Sequence, residues 1–261
     1  VLPRTESKSL AQMRDIVVLL GPPGAGKGTV APIIVDTLGI PQLSTGQMLR
    51  AAVKGGDPVG QKIKQIMAEG KLVSDDIVIQ AIKERIKKPD CARGFILDGF
   101  PRSLEQAKKL SKVLEPLGEQ VTVVVEIQVP DSVLETRICG RWMHKKSGRS
   151  YHVTFKPPKS MRLLENGQPD PKSMNCDIAG DALYQRKDDT PDALRQRLKT
   201  YHKNNNAICK YYKKVLKVVD GNQKIPDVQR TVKRLMDDHM TSTFVERNAY
   251  NLTDKKTSSK L

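Results

Sequence analysis

Short runs of consecutive apolar residues alternate with segments of helical periodicity along most of the chain. Residues 16–20 and 95–97 are uninterrupted, residues 121–127 form a longer run that includes Thr122 and Glu126, and residues 215–219 predict a further short strand. Uninterrupted runs of this length, bounded by Gly or Pro, are typical of parallel strands buried on both faces. Helical patterns occupy residues 60–69, 75–87, 103–114, 191–214 and 228–240. The alternation predicts an α/β fold with a doubly wound parallel sheet, whose ligand sits at the carboxyl ends of the strands.

Two segments interrupt this alternation and predict inserted lobes. Residues 44–73 separate the first helix from the next long one, and residues 140–189 follow the third apolar run. The second segment is polar and rich in Pro and other turn residues, and it is too long for an ordinary connection in a compact domain. We interpret it as a mobile lid on a core formed by residues 15–43, 74–139 and 190–238.

Both ends of the chain are polar. Residues 1–14 predict a loose N-terminal arm, and residues 239–261 predict a frayed C-terminal tail. Arg14 lies in this arm, so we expect it to be replaceable with little effect. The tail ends in Ser259, Lys260 and Leu261, the tripeptide that peroxisomal import receptors bind. This ending predicts a peroxisome-like organelle such as the glycosome, with the cytosol and the mitochondrion as alternatives.

Composition and charge narrow the class of protein. Hydrophobic residues make up 38% and charged residues 28% of the 261 positions, which is typical of a globular protein. The run at residues 16–20 is far shorter than the roughly 18 residues of a membrane span, so no membrane partner is expected. The net charge of +16 favours partners that carry phosphate. Because the lysines are spread along the chain and aromatic residues are only 4%, we expect small polyphosphates and no nucleic acid.

A glycine-rich loop follows the first predicted strand directly and opens a helix. Residues 21–29 have the sequence GPPGAGKGT, in which Gly28 follows Lys27 and the hydroxyl group comes from Thr29. Backbone N–H groups of such a loop, together with the helix N-terminus, bind phosphate oxygens, and the lysine reaches the β and γ phosphates. The general P-loop pattern has its hydroxyl residue one position earlier, so this loop is a variant of it.

Four further segments follow this loop and make its resemblance to a known family specific. They are PQLSTGQMLR at 41–50, GKLV at 70–73, LDGFPR at 97–102 with Gln106 after it, and RKDD at 186–189 followed by Arg195 and Arg197. Together with the loop they resemble the adenylate kinases with a long lid, over about residues 15–238. The resemblance implies a P-loop NTPase-type core with an NMP-binding lobe at 44–73 and a lid at 140–189. It also implies reversible phosphoryl transfer from Mg-ATP to AMP, giving two ADP.

The resemblance further implies roles for individual residues. Transfer would depend on Lys27, Arg102, Arg141, Arg186 and Arg197. ATP would bind Gly24, Ala25, Gly26, Lys27, Gly28, Thr29, Arg137, Arg141, Ser150, Tyr151 and Gln223. AMP would bind Thr45, Arg50, Lys71, Leu72, Val73, Gly99, Phe100, Pro101, Arg102, Gln106, Arg186 and Arg197, with Gln106 at the adenine edge. Asp98, which ends a buried strand, would hold Mg²⁺ through water.

The lid departs from the family pattern at several positions. Some relatives bind zinc there through four cysteines, whereas this lid contains Cys176 alone, with Cys139 at its hinge, so no zinc is expected. Zinc-free relatives use a hydrogen-bonded cluster instead. Its positions match His144, Ser147 and Asp177 in this chain, while Ala179 replaces a threonine of the cluster.

Two alternatives to this interpretation stay open. A sister kinase could use GTP as donor or UMP or CMP as acceptor, and a P-loop protein of another class could bind nucleic acid. We expect a monomer whose partners are ATP, AMP and ADP. Arg141, Arg186 and Arg197 carry like charges on or near the lid. Without polyphosphate nothing is expected to compensate their repulsion, so the lid should stay open.

Overall fold

The computed structural model describes residues 14–52, 65–66 and 73–258. Of the helix predicted at 60–69 it describes only residues 65 and 66, which are helical. The described ranges do not include Lys71 and Leu72, which the sequence assigns to AMP binding. They also do not include the last three residues, which it assigns to import.

Five parallel strands form the central sheet. They are β1 (Asp15–Leu20), β2 (Gln42–Ser44), β3 (Gly94–Asp98), β4 (Val123–Gln128) and β8 (Leu216–Asp220). Their order across the sheet is β2-β3-β1-β4-β8. The prediction of a parallel α/β core is therefore confirmed. Because β1 pairs with both β3 and β4, the ends of these three strands meet at one edge of the sheet.

Helices cover both faces of this sheet. Their bounds are α1 (Lys27–Leu38), α2 (Thr45–Ala52), α3 (Asp75–Arg85), α4 (Leu104–Leu114), α5 (Leu134–Cys139), α6 (Pro191–Tyr211) and α7 (Ile225–Ser258). Alternate residues of β1 point to opposite faces. Val18 packs in one buried cluster with residues of α3, α4 and α6, and Val17 packs in the other with residues of α1 and α7. A strand covered on both faces needs apolar residues at successive positions, which explains the uninterrupted runs.

The last helix is longer than the sequence pattern predicts. The expectation of a frayed tail after Asp238 is wrong, because α7 continues to Ser258. No Gly or Pro follows Pro226, so neither of the two residue types that most disfavour a helix interrupts it. Phe244 and Val245 are exposed on this extension. None of the helices in the described ranges is long and apolar enough to cross a membrane.

A second sheet lies within the segment predicted to be a lid. Its three antiparallel strands are β5 (Arg141–His144), β6 (Ser150–His152) and β7 (Leu183–Tyr184), in the order β6-β5-β7. Its small apolar core is separate from the clusters around the central sheet and contains Trp142, Tyr151, Met174, Cys176 and Leu183. The second sheet therefore packs around apolar residues of its own segment.

A hydrogen-bonded cluster around His144 holds the first turn of this segment. His144 Nδ1 lies 2.7 Å from Ser147 Oγ, and His144 Nε2 lies 3.1 Å from Asp181 Oδ2. The prediction that Asp177 takes part is wrong, since its Oδ1 accepts a hydrogen bond from the backbone N–H of Lys159. The turn at 176–181 instead brings Asp181 to the histidine.

Arg14, which the sequence assigns to the loose arm, is anchored to the core. Its Nη2 lies 2.5 Å from Glu119 Oε2, and its Nη1 donates to the carbonyl of Ile86 at 2.9 Å. The guanidinium also lies 5.2 Å from the ring centroid of Phe95. Only 12% of the Arg14 side chain and 1% of the Glu119 side chain are exposed. The placement of Arg14 in a loose arm is therefore wrong.

Replacing Arg14 by Ala should lower the free energy of unfolding by about 3 kcal/mol, because the buried Glu119 carboxylate loses its ion pair with Arg14. Arg14→Met combined with Glu119→Leu should recover most of this loss, since no buried charge remains. Chemical denaturation measures both changes. Arg230→Ala is the matched control, because 78% of the Arg230 side chain is exposed. If Arg14→Ala is as stable as that control, the buried pair does not stabilise the fold.

Candidate active site

The glycine-rich loop connects the end of β1 to the first residue of α1. Gly26 occupies the position before the helix with φ of 98°, which a residue without a Cβ adopts at little cost. No side chain caps the start of α1. The N-terminus of a 12-residue helix therefore faces the loop with the partial positive charge that binds an anion.

Lys27 lies over this loop, where other charges surround it. Its Nζ donates to the carbonyls of Gly21 at 2.7 Å and Pro22 at 2.9 Å. Burial lowers the pKa of Lys27 to about 8, against the opposing effect of Asp98. The charges of Arg102, Arg197 and Arg141 lower this pKa further. Four of the five residues predicted to carry out transfer are therefore close enough to affect one another electrostatically.

Two carboxylates hold the arginines that come from the lid and from α6. Arg141, the first residue of β5, donates through Nε to Asp189 Oδ2 at 2.9 Å. Arg197 Nη1 lies 3.2 Å from Asp188 Oδ2 and 3.9 Å from Asp189 Oδ1. Burial lowers the pKa of Arg197 to about 10, while Asp188 opposes the shift. The expectation that only polyphosphate compensates these charges is wrong, because both acids already do so.

The loop after β3 is held by buried polar side chains. Thr45 Oγ1 and Arg102 Nε both donate to the carbonyl of Gly99, at 3.0 and 2.8 Å. Gln106 Oε1 accepts from the backbone N–H of Arg102 at 2.7 Å, and its Nε2 donates to Asp75 Oδ1 at 2.8 Å. These bonds fix the arginine and the start of α2 around one short loop. The Gln106 side-chain amide, which the resemblance assigns to adenine, is used in these bonds. Its contact with adenine therefore stays a prediction.

The same loop includes the residues between the predicted metal ligand and Arg102. Asp98 Oδ2 accepts a hydrogen bond from Gln42 Nε2 at 2.9 Å. Phe100 is buried, and it is joined to Pro101 by a cis peptide bond. The loop therefore begins with an oriented carboxylate at the end of a buried strand.

The lid brings one of its two predicted ATP contacts to the phosphate loop. A Cβ added to Gly28 would lie 3.9 Å from Ser150 Oγ, so that hydroxyl is next to the loop. The Tyr151 hydroxyl instead accepts from the backbone N–H of Asp177 at 2.9 Å and lies 3.4 Å from Cys176 Sγ. This phenol stabilises the thiolate and lowers the pKa of Cys176 to about 6. The aromatic side chain therefore belongs to the core of the lid.

The remaining predicted ATP residues lie near the segment after β8. Arg137 Nη1 donates to the carbonyl of Gly221 at 3.0 Å, and its guanidinium lies 6.0 Å from the Phe155 ring centroid. Gln223 Nε2 donates to Asp220 Oδ2 at 3.1 Å. One side of a nucleotide site could therefore be formed by α5 and this segment.

Other predicted residues are described only in part. Arg186 is half-buried between β7 and α6, and Val73 is buried just before α3. Arg50 lies in α2, but its side chain is outside the described part of the chain. Lys71 and Leu72 lie wholly outside the described part of the chain.

Three residues that sequence reasoning did not assign hold the others in place. They are Gln42 beside Asp98, and Asp188 and Asp189 beside the arginines. The two acids follow Arg186 and Lys187 directly, so a pair of carboxylates in a strongly basic chain was a usable signal. Nothing in the local pattern around Gln42 indicates its partner 56 residues away.

Comparison with known proteins gives this arrangement a family. The family model described as adenylate kinase matches residues 19–217. The chain belongs to the adenylate kinase family. Adenylate kinase 4 of Oryza sativa subsp. japonica is 46% identical over 215 residues, which cover 82% of this chain and 84% of the relative. The adenylate kinase of Geobacter sulfurreducens is 44% identical over 223 residues, covering 85% and 97%.

The family resemblance and the prediction of an adenylate kinase are therefore confirmed. The protein is an ATP:AMP phosphotransferase that transfers a phosphoryl group reversibly between ATP and AMP, and it thereby serves nucleotide homeostasis. The P-loop fold, with β1, the glycine-rich loop and α1 in sequence, agrees with this activity. The roles of individual site residues stay predictions.

The low pKa of Lys27 predicts a pH-dependent stability. Between pH 8 and 10.5 the unfolded chain binds a proton at Lys27 that the folded protein has lost, so this residue makes the wild type more stable as pH rises. Lys27→Met lacks this group. The free energy of unfolding of the variant, minus that of the wild type, should therefore fall by about 1 to 3 kcal/mol across this interval. Denaturation at a series of pH values measures it, and a constant difference would contradict the low pKa.

Proposed function

We propose that Lys27, Arg102, Arg141, Arg186 and Arg197 position the transferred phosphoryl group and stabilise its charge between bound ATP and AMP. The observation that carries this proposal is the electrostatic coupling of Lys27 to Asp98 and to three of these arginines. Phosphoryl transfer needs positioning and charge stabilisation more than covalent chemistry, which fits a cleft of fixed guanidinium groups.

ATP binds with its phosphates on residues 24–29 in this proposal. The backbone N–H groups of the loop and the start of α1 contact the phosphate oxygens. Lys27 exchanges its bonds to the carbonyls of Gly21 and Pro22 for bonds to phosphate. A phosphate raises the pKa of the amine again, so the bound lysine is charged at neutral pH. Around the rest of the nucleotide lie Arg137, Ser150, the backbone of Tyr151, and Gln223.

AMP binds on the other side of the cleft, against α2 and the loop after β3. Arg50 and Arg102 hold its phosphate, as planar guanidinium groups can do with two parallel hydrogen bonds. The backbone of residues 71–73 and of residues 99–101 lines the nucleoside, with Thr45 beside them. Gln106 selects adenine once its bond to Asp75 is exchanged for one to the base.

Mg²⁺ is the cofactor of the proposed reaction, and Asp98 holds it through water. Among the described residues no three His, Cys, Asp or Glu side chains cluster as metal ligands. A hard cation that keeps most of its water and binds phosphate oxygens needs only one or two carboxylates, so the oriented Asp98 fits it. When bound, Mg²⁺ neutralises charge on the phosphates. The prediction that the lid binds no zinc is unchanged.

Asp188 and Asp189 hold Arg197 and Arg141 close to the site before phosphate arrives. Bound polyphosphate competes with these carboxylates for the same guanidinium groups. The lid arginine then contacts phosphate while β5 and β6 cover the loop, which excludes water from the reaction.

Replacing Arg102 or Arg186 by Ala should lower kcat/KM for ATP and AMP by about 100-fold or more, because each change removes charge stabilisation of the transition state. Lys27→Met should lower kcat by a similar factor. A coupled assay of ADP formation measures these constants. Arg230→Ala, which alters an exposed arginine of α7, should change them little. Equal losses in that control would mean that the selected arginines have no special role.

We also propose that Ser259, Lys260 and Leu261 bind an import receptor of a peroxisome-like organelle and that the enzyme is a monomer. The polar composition of residues 253–258, which precede the tripeptide, supports access of a receptor to it. A fluorescent protein fused ahead of Val1 should enter such an organelle, and removal of the three residues should leave it in the cytosol. Import that persists without them would contradict the receptor proposal.

A further inference from the structure

A glutamine of the NMP-binding lobe touches a glycine of the lid. Gly148 lies in the turn between β5 and β6 with φ of +70°, and its N–H donates to the carbonyl of His144 at 2.9 Å. A Cβ added there would overlap the amide nitrogen of Gln47 and would lie 3.4 Å from its Cδ and 3.8 Å from its Oε1. The amide of Gln47 therefore packs on the face of Gly148 where any other residue carries a side chain.

Each partner is attached to a part of the proposed site. Gln47 lies in α2 two residues after Thr45, whose hydroxyl binds the carbonyl of Gly99 at the AMP side. Gly148 lies two residues before Ser150, whose hydroxyl lies beside the phosphate loop at the ATP side. The turn also continues from β5, which begins at Arg141. The contact thus joins the two lobes across the mouth of the cleft.

We infer that Gln47 and Gly148 form a latch between the NMP-binding lobe and the lid, and that this latch couples binding of AMP to binding of ATP. The inference rests on the proposed function. Neither residue contacts the reacting groups in this scheme, so both are positioning residues. Glycine is needed at 148 because a Cβ would occupy the space that the amide fills when both lobes are closed.

Coupling follows from where the contact forms. With the lid closed by ATP, Gly148 is in place and the lobe gains the contact as AMP closes it. With the lid open, the NMP-binding lobe closes on AMP without forming the contact between Gln47 and Gly148. AMP should therefore bind more tightly when the ATP site is filled, and by linkage ATP should bind more tightly when AMP is present.

A binding experiment with an ATP analogue, in which an imido group bridges the β and γ phosphates, tests this without turnover. The ratio of the AMP dissociation constants in the absence and presence of saturating analogue, measured by calorimetry, gives the coupling factor. Gln47→Ala should lower this factor about threefold or more and leave AMP affinity without analogue unchanged. Gly148→Ala should lower it similarly in the wild-type background. Once Gln47 is Ala, Gly148→Ala should lower it no further, because the contact is already lost, whereas an effect of backbone strain at φ of +70° would be the same in both backgrounds.

Two matched controls separate the contact from general effects. Gly167 has φ of +76° in another turn of the lid, and a Cβ there would meet no atom within 4 Å. Gly167→Ala should therefore leave the coupling factor unchanged. Gln196→Ala removes an exposed glutamine of α6 and should also have no effect.

The outcomes distinguish this inference from the proposed function. If the wild type transfers phosphoryl groups but Gln47→Ala and Gly148→Ala leave the coupling factor unchanged, the latch is wrong and the proposed function stands. Equal effects of Gly148→Ala in both backgrounds would show that backbone strain acts instead of the contact, and would overturn the latch. Weaker AMP binding by Gln47→Ala without analogue would place its role within one lobe and would overturn it too. Absence of transfer by the wild type would contradict the proposed function first.

Discussion

Several positive charges share one half-buried cleft, and the structure of the site depends on how their repulsion is limited. The charges of Arg102, Arg141 and Arg197 lower the pKa of Lys27, and the charge of Asp98 raises it. Burial makes the charges of Lys27 and Arg197 costly and strengthens the interactions between charges in the cleft. Asp188 and Asp189 offset part of the repulsion by pairing with Arg197 and Arg141. The cleft is therefore preorganised for an anion of high charge, and it reaches that state with carboxylates that phosphate can replace.

The central sheet brings these charges together although they are far apart in sequence. β1 lies between β3 and β4, so the glycine-rich loop and Asp98 leave the sheet at neighbouring positions. Arg102 follows one of these strands directly, and Arg141 follows β4 through α5. Parallel strands end at the same edge, which is why a sheet of this kind collects side chains from several loops at one site.

The sequence alone predicted the features that depend on local pattern. Apolar runs identified β1 and its neighbours, and the glycine-rich loop was correctly placed between β1 and α1. The errors concern contacts between remote positions. Arg14 could not be recognised as part of the core, because its partner Glu119 is 105 residues away and neither lies in an apolar run. Asp181 rather than Asp177 reaches His144 because a turn reverses the chain between them, and periodicity carries no information on such a turn.

The length of α7 was missed for a different reason. Phe244 and Val245 are exposed, and Met236 is the last fully buried residue among those of α7 whose side chains the structure describes, so a search for hydrophobic periodicity stops near Met236. Helix formation continues because no residue interrupts it, which is a property of propensity and not of packing.

The unusual acidity of Lys27 also has a consequence for chemical reactivity. Ordinary lysines keep their proton up to about pH 10.4, and a protonated amine is not a nucleophile. With a pKa of about 8, the Lys27 amine is largely unprotonated under mildly alkaline conditions. We therefore expect a small amine-directed electrophile that enters the cleft to react with Lys27 before it reacts with a surface lysine of ordinary pKa. Phosphate bound to the loop would pair with that amine and block the reaction. Covalent labelling of Lys27 would then report whether the loop is occupied, because a bound ligand protects the amine.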